Sequence, residues 1–278
     1  MALDIKPLKE GHAVTYHQPK NDVIPRIPFR GLCLAPSNSG KTVAIVNMLT
    51  RPEFYGNLFT HIYWCSPTAS IDPALDALRE YVKTLDQDQE EDPTFHDSVD
   101  VEFLQSRVNR QRKVMEHMKK SKTRQHGFAM CIVIDDLADV KRGLPLVARF
   151  VDSLFVKCRH WGVSVILSSQ KLKLPLISPT VRVNLTFALI FRLRNNSDLI
   201  DGFEKEYSAI IGGSKPKDTL HAMYMASVSK PFGFLYLNLM EQDRNRIFHN
   251  AFHSRFLIDG NGAERPHDDV STPKGGAG

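Results

Sequence analysis

Residues 35–42, APSNSGKT, end in Gly-Lys-Thr. This is the ending of the phosphate-binding loop G-x-x-x-x-G-K-[ST], in which backbone N–H groups and the N-terminus of the next helix bind phosphate oxygens. Lys41 is expected to contact the β- and γ-phosphates of ATP, and the Thr42 hydroxyl to bind Mg²⁺. The predicted nucleotide-binding residues are Pro36, Ser37, Asn38, Ser39, Gly40, Lys41 and Thr42.

The loop departs from the common pattern at its start, where Ala35 replaces the first glycine and Pro36 follows it. Alanine is compatible with the loop if position 35 needs no positive φ, and proline is compatible where no N–H has to reach phosphate. Gly40 is retained where backbone and phosphate approach most closely. We therefore expect a working loop, and the alternative is a chance match.

Two carboxylates end a second apolar run, CIVIDD at residues 131–136. An aspartate at this point of a P-loop NTPase holds Mg²⁺, which is the role predicted for Asp135. Asp136 follows where a carboxylate can orient the attacking water. The alternative is a solvated strand end without a chemical role.

A third apolar run, VSVILSSQ at residues 163–170, ends in Gln170. A polar side chain at this point can contact the γ-phosphate or the attacking water, with Ser168 and Ser169 as auxiliaries. The alternative is a polar cluster that only initiates a turn.

Two arginines are candidates for a group that reaches the site of a neighbouring subunit and neutralises negative charge in the transition state there. Arg159 precedes the strand that ends in Gln170, and Arg182 precedes the next strand. We favour Arg159, and for each the alternative is an arginine on the surface or in contact with DNA.

These side chains require strands that bring them to one edge of a sheet. Short apolar runs alternate with helical patterns, which predicts an α/β fold whose mainly parallel sheet is covered by helices on both faces. Ligands bind at the carboxyl ends of the strands in such sheets. The predicted strands cover residues 30–35, 61–66, 128–136, 163–170, 184–193 and 232–240, and the predicted helices 41–51, 73–85, 101–120, 144–158, 196–211 and 218–228.

The chain divides into three predicted parts. Residues 1–28 are expected to form an extended arm, residues 29–258 the ATPase domain, and the polar, Gly-rich residues 259–278 a disordered tail. Within the domain, acidic residues 86–100 are expected to form an exposed loop. The basic face of residues 107–126 could contact DNA phosphates, or dock on the acidic loop when DNA is absent; the alternative is a solvated helix face.

The composition limits the class of protein and the kinds of site that the chain can contain. A hydrophobic fraction of 42% is typical of a globular domain, and a net charge of +5 permits a nucleic-acid partner. The four cysteines form no C-x-x-C pair, which argues against a zinc or redox motif and indicates buried, reduced thiols. No run approaches the ~18 apolar residues of a membrane span, so no transmembrane segment is predicted.

Four motifs together resemble a known family: APSNSGKT, IVIDDL, KCRHWGVSVILSSQ and PTVRVNLTFALIFRL. They look like the genome-packaging ATPases of large double-stranded DNA viruses, a family of the FtsK–HerA superfamily. The Arg-His pair before the strand ending in Ser-Gln and the paired aspartates are the most specific features. The resemblance covers roughly residues 29–195.

The resemblance implies a RecA-like P-loop ATPase of the ASCE class, in which an extra strand lies between the two Walker strands. It implies a homo-oligomeric ring, a hexamer or pentamer, that moves double-stranded DNA into a capsid independently of sequence. Its partners would be components of the capsid or of its vertex. The protein would be located in the viral factory of the host cytoplasm, or in the virion. Lys41, Thr42, Asp135, Asp136 and Gln170 match motif positions of the family, and Arg159 matches its Arg-His element.

Two other functions remain open at this point. A cellular or plasmid DNA-transfer ATPase of the same superfamily would share the chemistry and differ in its partner. A nucleotide-dependent assembly switch would hydrolyse ATP slowly, without translocation and without a response to DNA.

Overall fold

Short apolar runs of the chain form strands, and longer segments with helical periodicity form helices. The computed structural model describes residues 14–121, 127–135, 143–172, 177–258 and 263–266. The strands are β1 Arg30–Leu34, β2 His61–Cys65, β3 Phe95–His96, β4 Met130–Asp135, β5 Val163–Ser169, β6 Phe187–Phe191, β7 Phe234–Asn238, β8 Phe248–Asn250, β9 Ser254–Leu257 and β10 Ala263–Pro266. The helices are α1 Lys41–Thr50, α2 Asp76–Val82, α3 Val101–Ser121, α4 Leu144–Lys157, α5 Pro179–Val183, α6 Lys205–Ile211 and α7 Pro216–Ser227.

The strands form one sheet in the order β10-β9-β8-β7-β6-β1-β5-β4-β2-β3. Strands β6, β1, β5, β4, β2 and β3 run parallel, and β7 to β10 add antiparallel pairs at one side. Strand β5 lies between β1, which leads into the phosphate loop, and β4, which ends in Asp135. This order is the one implied by the ASCE class, and the predicted fold class is confirmed.

Each face of the sheet carries its own apolar core, because the central strands are buried on both sides. One core packs α1 and α2 against Cys33, Val133 and Ile166. The other packs α3, α4 and the helices after β5 against the opposite side chains of the same strands. Apart from the short helix α5, the helices on both faces are those that the sequence predicted.

Residues 14–28 form no regular element but pack tightly against the domain. Ile24 and Ile27 are buried in the core beside α1. The hydroxyls of Tyr55 and Tyr236 donate to the carbonyls of Pro25 and Val23, at 2.8 and 2.7 Å. This part of the predicted arm therefore belongs to the packed body of the domain.

Several short elements differ from the sequence-based expectation. The acidic segment 86–100 is mostly loop, but its residues Phe95–His96 form β3, and Asp92 is buried. Helix α5 and strands β8 and β9 had no clear signal in the sequence. Residues 263–266, within the tail predicted to be disordered, form β10 against β9. Strands this short gain their stability from pairing with a neighbour, which sequence periodicity does not reveal.

No helix among the described ranges is long and apolar enough to cross a membrane.

Candidate nucleotide-binding site

The phosphate loop connects β1 to α1 at the carboxyl edge of the parallel strands. The Ala35 N–H donates to the Ser169 carbonyl at 2.9 Å, which extends the pairing of β1 with β5. Positive φ angles occur later in the loop, at Asn38 (61°) and Gly40 (88°), and not at Ala35. Alanine is therefore compatible with position 35, whereas Gly40 occupies a left-handed conformation that favours glycine.

Lys41 and Asp135 form a buried ion pair, with Nζ of the lysine 2.6 Å from Oδ1 of the aspartate. Their residues expose 8% and 4% of their surfaces. Helix α1 supplies the lysine at its first position and β4 supplies the aspartate at its last. A buried charge is strongly disfavoured without a counter-charge. The pair therefore holds the lysine at the strand ends, where an incoming phosphate would compete with the carboxylate for it.

Two buried hydroxyls at the same edge, those of Ser39 and Ser168, have no hydrogen-bond partner in the described part of the chain. Ser168 pairs in register with Asp135 on one side and Cys33 on the other, so the three side chains share the face that α1 covers. Buried hydroxyls are rarely left unsatisfied. Both are suited to hydrogen-bond phosphate oxygens or ordered water.

These oxygen groups also fit Mg²⁺, which takes hard oxygen ligands and commonly uses one or two carboxylates together with substrate phosphates. Asp135 supplies a buried carboxylate, and Thr42 supplies a hydroxyl in the first turn of α1. The described residues include no cluster of three or more His, Cys, Asp or Glu side chains that could hold a metal ion. A magnesium site here would depend on the nucleotide's own phosphates.

Gln170 follows the last residue of β5 and is partly buried, at the edge that carries the phosphate loop. Of its two serine neighbours, Ser169 is already engaged. Its hydroxyl donates to the Lys171 carbonyl at 2.8 Å and accepts from the Lys171 N–H at 3.2 Å. Ser168 is therefore the better candidate for a second polar group beside Gln170. Asp136, the predicted water-orienting residue, lies outside the described residues.

Arg159 and Arg182 lie beyond the opposite edge of the sheet, before β5 and β6 begin. A strand of this length spans about 20 Å, so neither is near the phosphate loop of its own chain. Arg182 donates to the Ile177 carbonyl at 2.8 Å and pairs with Glu206 at 3.3 Å. Arg159 is exposed, and its Nε donates to Nε2 of His160 at 3.3 Å. Either arginine could contact a nucleotide only on a neighbouring subunit.

The model of the poxvirus A32 protein family matches residues 18–227 of the 278. The chain belongs to the poxvirus A32 protein family. This is a family of viral genome-packaging ATPases, as the motifs of the sequence indicated.

No curated protein sequence matches this family member. Solved structures with a similar fold include ATPases 2 and 3 of EssC from Geobacillus thermodenitrificans, at 10% identity and a TM-score of 0.47 over 72% of this chain. They also include the genome packaging NTPase B204 from Sulfolobus turreted icosahedral virus 2, at 16% identity and a TM-score of 0.46 over 77% of this chain. A third is the pCW3 conjugation coupling protein TcpA, at 14% identity and a TM-score of 0.49 over 81% of this chain. The matches span 42% of the EssC chain, 94% of B204 and 67% of TcpA.

Two residues beside the loop of this A32 family member were missed by the sequence analysis. The Arg194 guanidinium donates to the Ser37 carbonyl at 3.3 Å. Phe232 lies against Gly40, so closely that a Cβ on that glycine would meet the Phe232 ring at 2.9 Å. Both follow the loop by more than 150 positions and belong to no recognisable motif. The order of the strands brings them to the loop, because Arg194 follows β6, the neighbour of β1, and Phe232 precedes β7, the next strand beyond β6.

The four cysteines of the described chain are free and buried. Burial raises the pKa of the Cys65 thiol and that of the Cys158 thiol to about 12, so both are protonated at neutral pH. Cys33 lies beneath the phosphate loop, and burial also raises its pKa. The prediction that these thiols are buried is confirmed, and the four cysteines belong to the two apolar cores.

Proposed function

We propose that this protein is an ATP-driven motor that moves double-stranded DNA into a viral capsid as a ring of identical subunits. The observation that supports the chemistry best is the buried contact between Lys41 and Asp135. It joins the lysine of the phosphate loop to the aspartate at the end of β4, with β5 between their strands. Membership of a packaging-ATPase family supports DNA as the cargo.

In the proposed reaction, Lys41 leaves Asp135 and contacts the β- and γ-phosphates of ATP. The exchange replaces one counter-charge by another, so the ammonium is never buried alone. Thr42 and Asp135 would hold Mg²⁺, which when bound supplies positive charge beside the phosphates. Asp136 would orient the attacking water and Gln170 would contact the γ-phosphate.

The trans arginine is proposed to be Arg159. Arg182 already has an acidic partner in its own chain, whereas Arg159 has none among the described residues. Burial lowers the pKa of His160, and the nearby positive charges of Arg159, Lys119 and Arg30 lower it further. Such a cationic cluster favours an anion, and the phosphates of a nucleotide on the next subunit would supply one.

The DNA contact is proposed to lie on the exposed basic side chains of α3. Arg107 is already engaged there, since it pairs with Asp92 at 2.9 Å and donates to the Glu91 carbonyl at 3.0 Å. Arg112 pairs with Glu116 at 3.4 Å on the exposed side of the helix. The other exposed cations are Arg110, Lys113, Lys119 and Lys120. Contacts between such side chains and phosphate give binding that is independent of sequence and weakens steeply with salt.

ATP turnover with and without duplex DNA tests the motor. We expect DNA to stimulate hydrolysis by the wild type, and Asp136→Asn to abolish hydrolysis while ATP still binds. Asp201→Asn, an exposed carboxylate elsewhere, serves as the control and should leave turnover unchanged. Turnover that ignores DNA would contradict the motor and favour an assembly switch. Retained turnover in Asp136→Asn would contradict the role assigned to that residue.

Mixing two inactive variants tests the arginine. Lys41→Ala subunits lack the nucleotide contact, and Arg159→Ala subunits lack the proposed trans group. Mixed rings should recover part of the activity, because some interfaces then pair an intact phosphate loop with an intact arginine. No recovery at any mixing ratio would contradict a trans role for Arg159.

A further inference from the structure

Phe232 is an aromatic residue in an unusual position beside the phosphate loop. It exposes 70% of its surface to solvent, although most large apolar side chains of the domain are buried. Its φ is 61°, in the left-handed region that β-branched and bulky residues rarely adopt. An exposed side chain held in an unfavourable backbone conformation gains nothing for the core, which points to a role outside folding.

The turn around Phe232 explains how this conformation is held. The Gly233 N–H donates to the Lys230 carbonyl at 3.1 Å, which closes a four-residue turn with Pro231 and Phe232 at its centre. Proline followed by a residue with positive φ is the pattern of a type II turn, whose third position favours glycine or asparagine. This chain has phenylalanine there, so the turn presents an aromatic ring where a glycine would fit without strain.

The ring lies beside the phosphate loop. A Cβ on Gly40 would lie 2.9 Å from Cδ1 of Phe232, so the ring lies against the glycine that immediately precedes α1. The turn leads into β7, which is two strands from β1 on the side away from β4. Asp135 is two strands from β1 on the other side. With neighbouring strands about 4.8 Å apart, the aromatic ring and the carboxylate flank the loop from opposite sides.

This arrangement would fix the orientation of a bound nucleotide in the site. Lys41 attracts the terminal phosphates directly, and Asp135 would hold them through Mg²⁺. The nucleoside end must then extend away from β4. On that side the described chain offers the exposed ring of Phe232, and Arg194, which donates to the loop at Ser37. A nucleobase is a flat aromatic system, and stacking on a protein aromatic ring is its usual contact where specificity is not required.

We propose that Phe232 is the stacking surface for the base of the bound nucleotide. The inference rests on the proposed nucleotide chemistry and adds the residue that binds the base. Stacking tolerates any base, because each has a π-face. Phe232 therefore contributes affinity for ATP and GTP alike, and none for a ligand that has phosphates but no base.

The test compares ATP, GTP and inorganic triphosphate as ligands of the wild type and Phe232→Ala by calorimetry, in the presence of Mg²⁺. Loss of a stacking contact should weaken ATP and GTP about 5- to 150-fold. Binding of inorganic triphosphate should be unchanged. Phe232→Trp should restore the affinity for both nucleotides. Phe128→Ala, which removes a 54% exposed ring before β4, is the control and should alter no ligand.

Phe232→Gly separates a role in binding from a role in folding. Glycine relieves the positive φ, so the melting temperature without ligand should stay equal or rise, while ATP binding weakens as in Phe232→Ala. A lower melting temperature would overturn the inference, because the ring would then stabilise the fold. Unchanged ATP affinity in Phe232→Ala would overturn it too, as would an equal loss for ATP and inorganic triphosphate. A wild type that binds no ATP would overturn the proposed function itself.

Discussion

The ion pair between Lys41 and Asp135 makes the sharpest prediction about stability. Asp135→Asn keeps the size and shape of the side chain but removes the charge that faces the Lys41 ammonium at 2.6 Å. The lysine, 8% exposed, then loses the carboxylate that lies against it. The variant therefore removes the negative half of a buried ion pair and leaves the positive half in place.

The magnitude follows from burial. Removing one partner of a buried ion pair costs about 3–5 kcal/mol. A lysine can avoid an unpaired charge by releasing its proton, which for an ordinary lysine costs about 4.6 kcal/mol at pH 7 and sets an upper limit. We expect Asp135→Asn to lower the free energy of unfolding by about 3–4.6 kcal/mol. Lys41→Met combined with Asp135→Asn should recover at least half of this loss, because no isolated charge remains.

Urea denaturation followed by tryptophan fluorescence gives the unfolding free energies, since Trp64 is fully buried. The matched control is Asp76→Asn, which removes the partner of Arg79 from an exposed pair and should cost less than about 1 kcal/mol. Equal losses in the two asparagine variants would refute the reasoning from burial. A double variant whose loss equals the sum of its single losses would refute the coupling between Lys41 and Asp135.

Three further predictions concern other parts of the domain. Gly40→Ala should be destabilised by more than Gly213→Ala in thermal denaturation. Both sites have positive φ, which costs alanine about 1–2 kcal/mol, but only at Gly40 would the new Cβ meet another side chain. The four cysteines should react with iodoacetamide at pH 8 only after unfolding in urea, as mass spectrometry would detect; fast labelling of the native protein would contradict their burial. Burial lowers the pKa of His61 below 6.5, against the opposing charge of Asp92. The unfolded chain thus binds this proton more readily, and stability should fall as the pH drops below about 6.5. His61→Gln should reduce that fall, and an unchanged pH profile would contradict the assignment.

The sequence predicted well where a function is encoded locally. The phosphate loop, the helix after it and the apolar strands β4 and β5 all have signals within a dozen residues, because a strand or helix buries its own apolar residues and displays its own polar end. The class of fold and the family followed from these motifs. The same local signals predicted that the polar strand ends share one edge of the sheet.

Elements without a local pattern were missed. The acidic composition around Asp92 indicated an exposed loop, yet that carboxylate is buried and accepts a hydrogen bond from the Tyr63 hydroxyl at 2.9 Å. It also pairs with Arg107, so the acidic segment and the basic helix meet in this structure. Strand β3 forms because it pairs with β2, and a strand of two residues is too short to show a sequence pattern of its own. In both cases, the decisive partner lies far along the chain.

The sequence by itself determined which chemical groups this protein has and which strand or helix carries each of them. Local apolar patterns and motif spacing are sufficient for that, since each element depends mainly on its own residues. Only the tertiary structure decided which groups meet. It set β5 between β1 and β4, brought Lys41 to Asp135 across 94 positions, and laid Phe232 on Gly40. The physical reason is that such contacts depend on strand order, register and packing on both faces of the sheet, which form only when the whole domain folds.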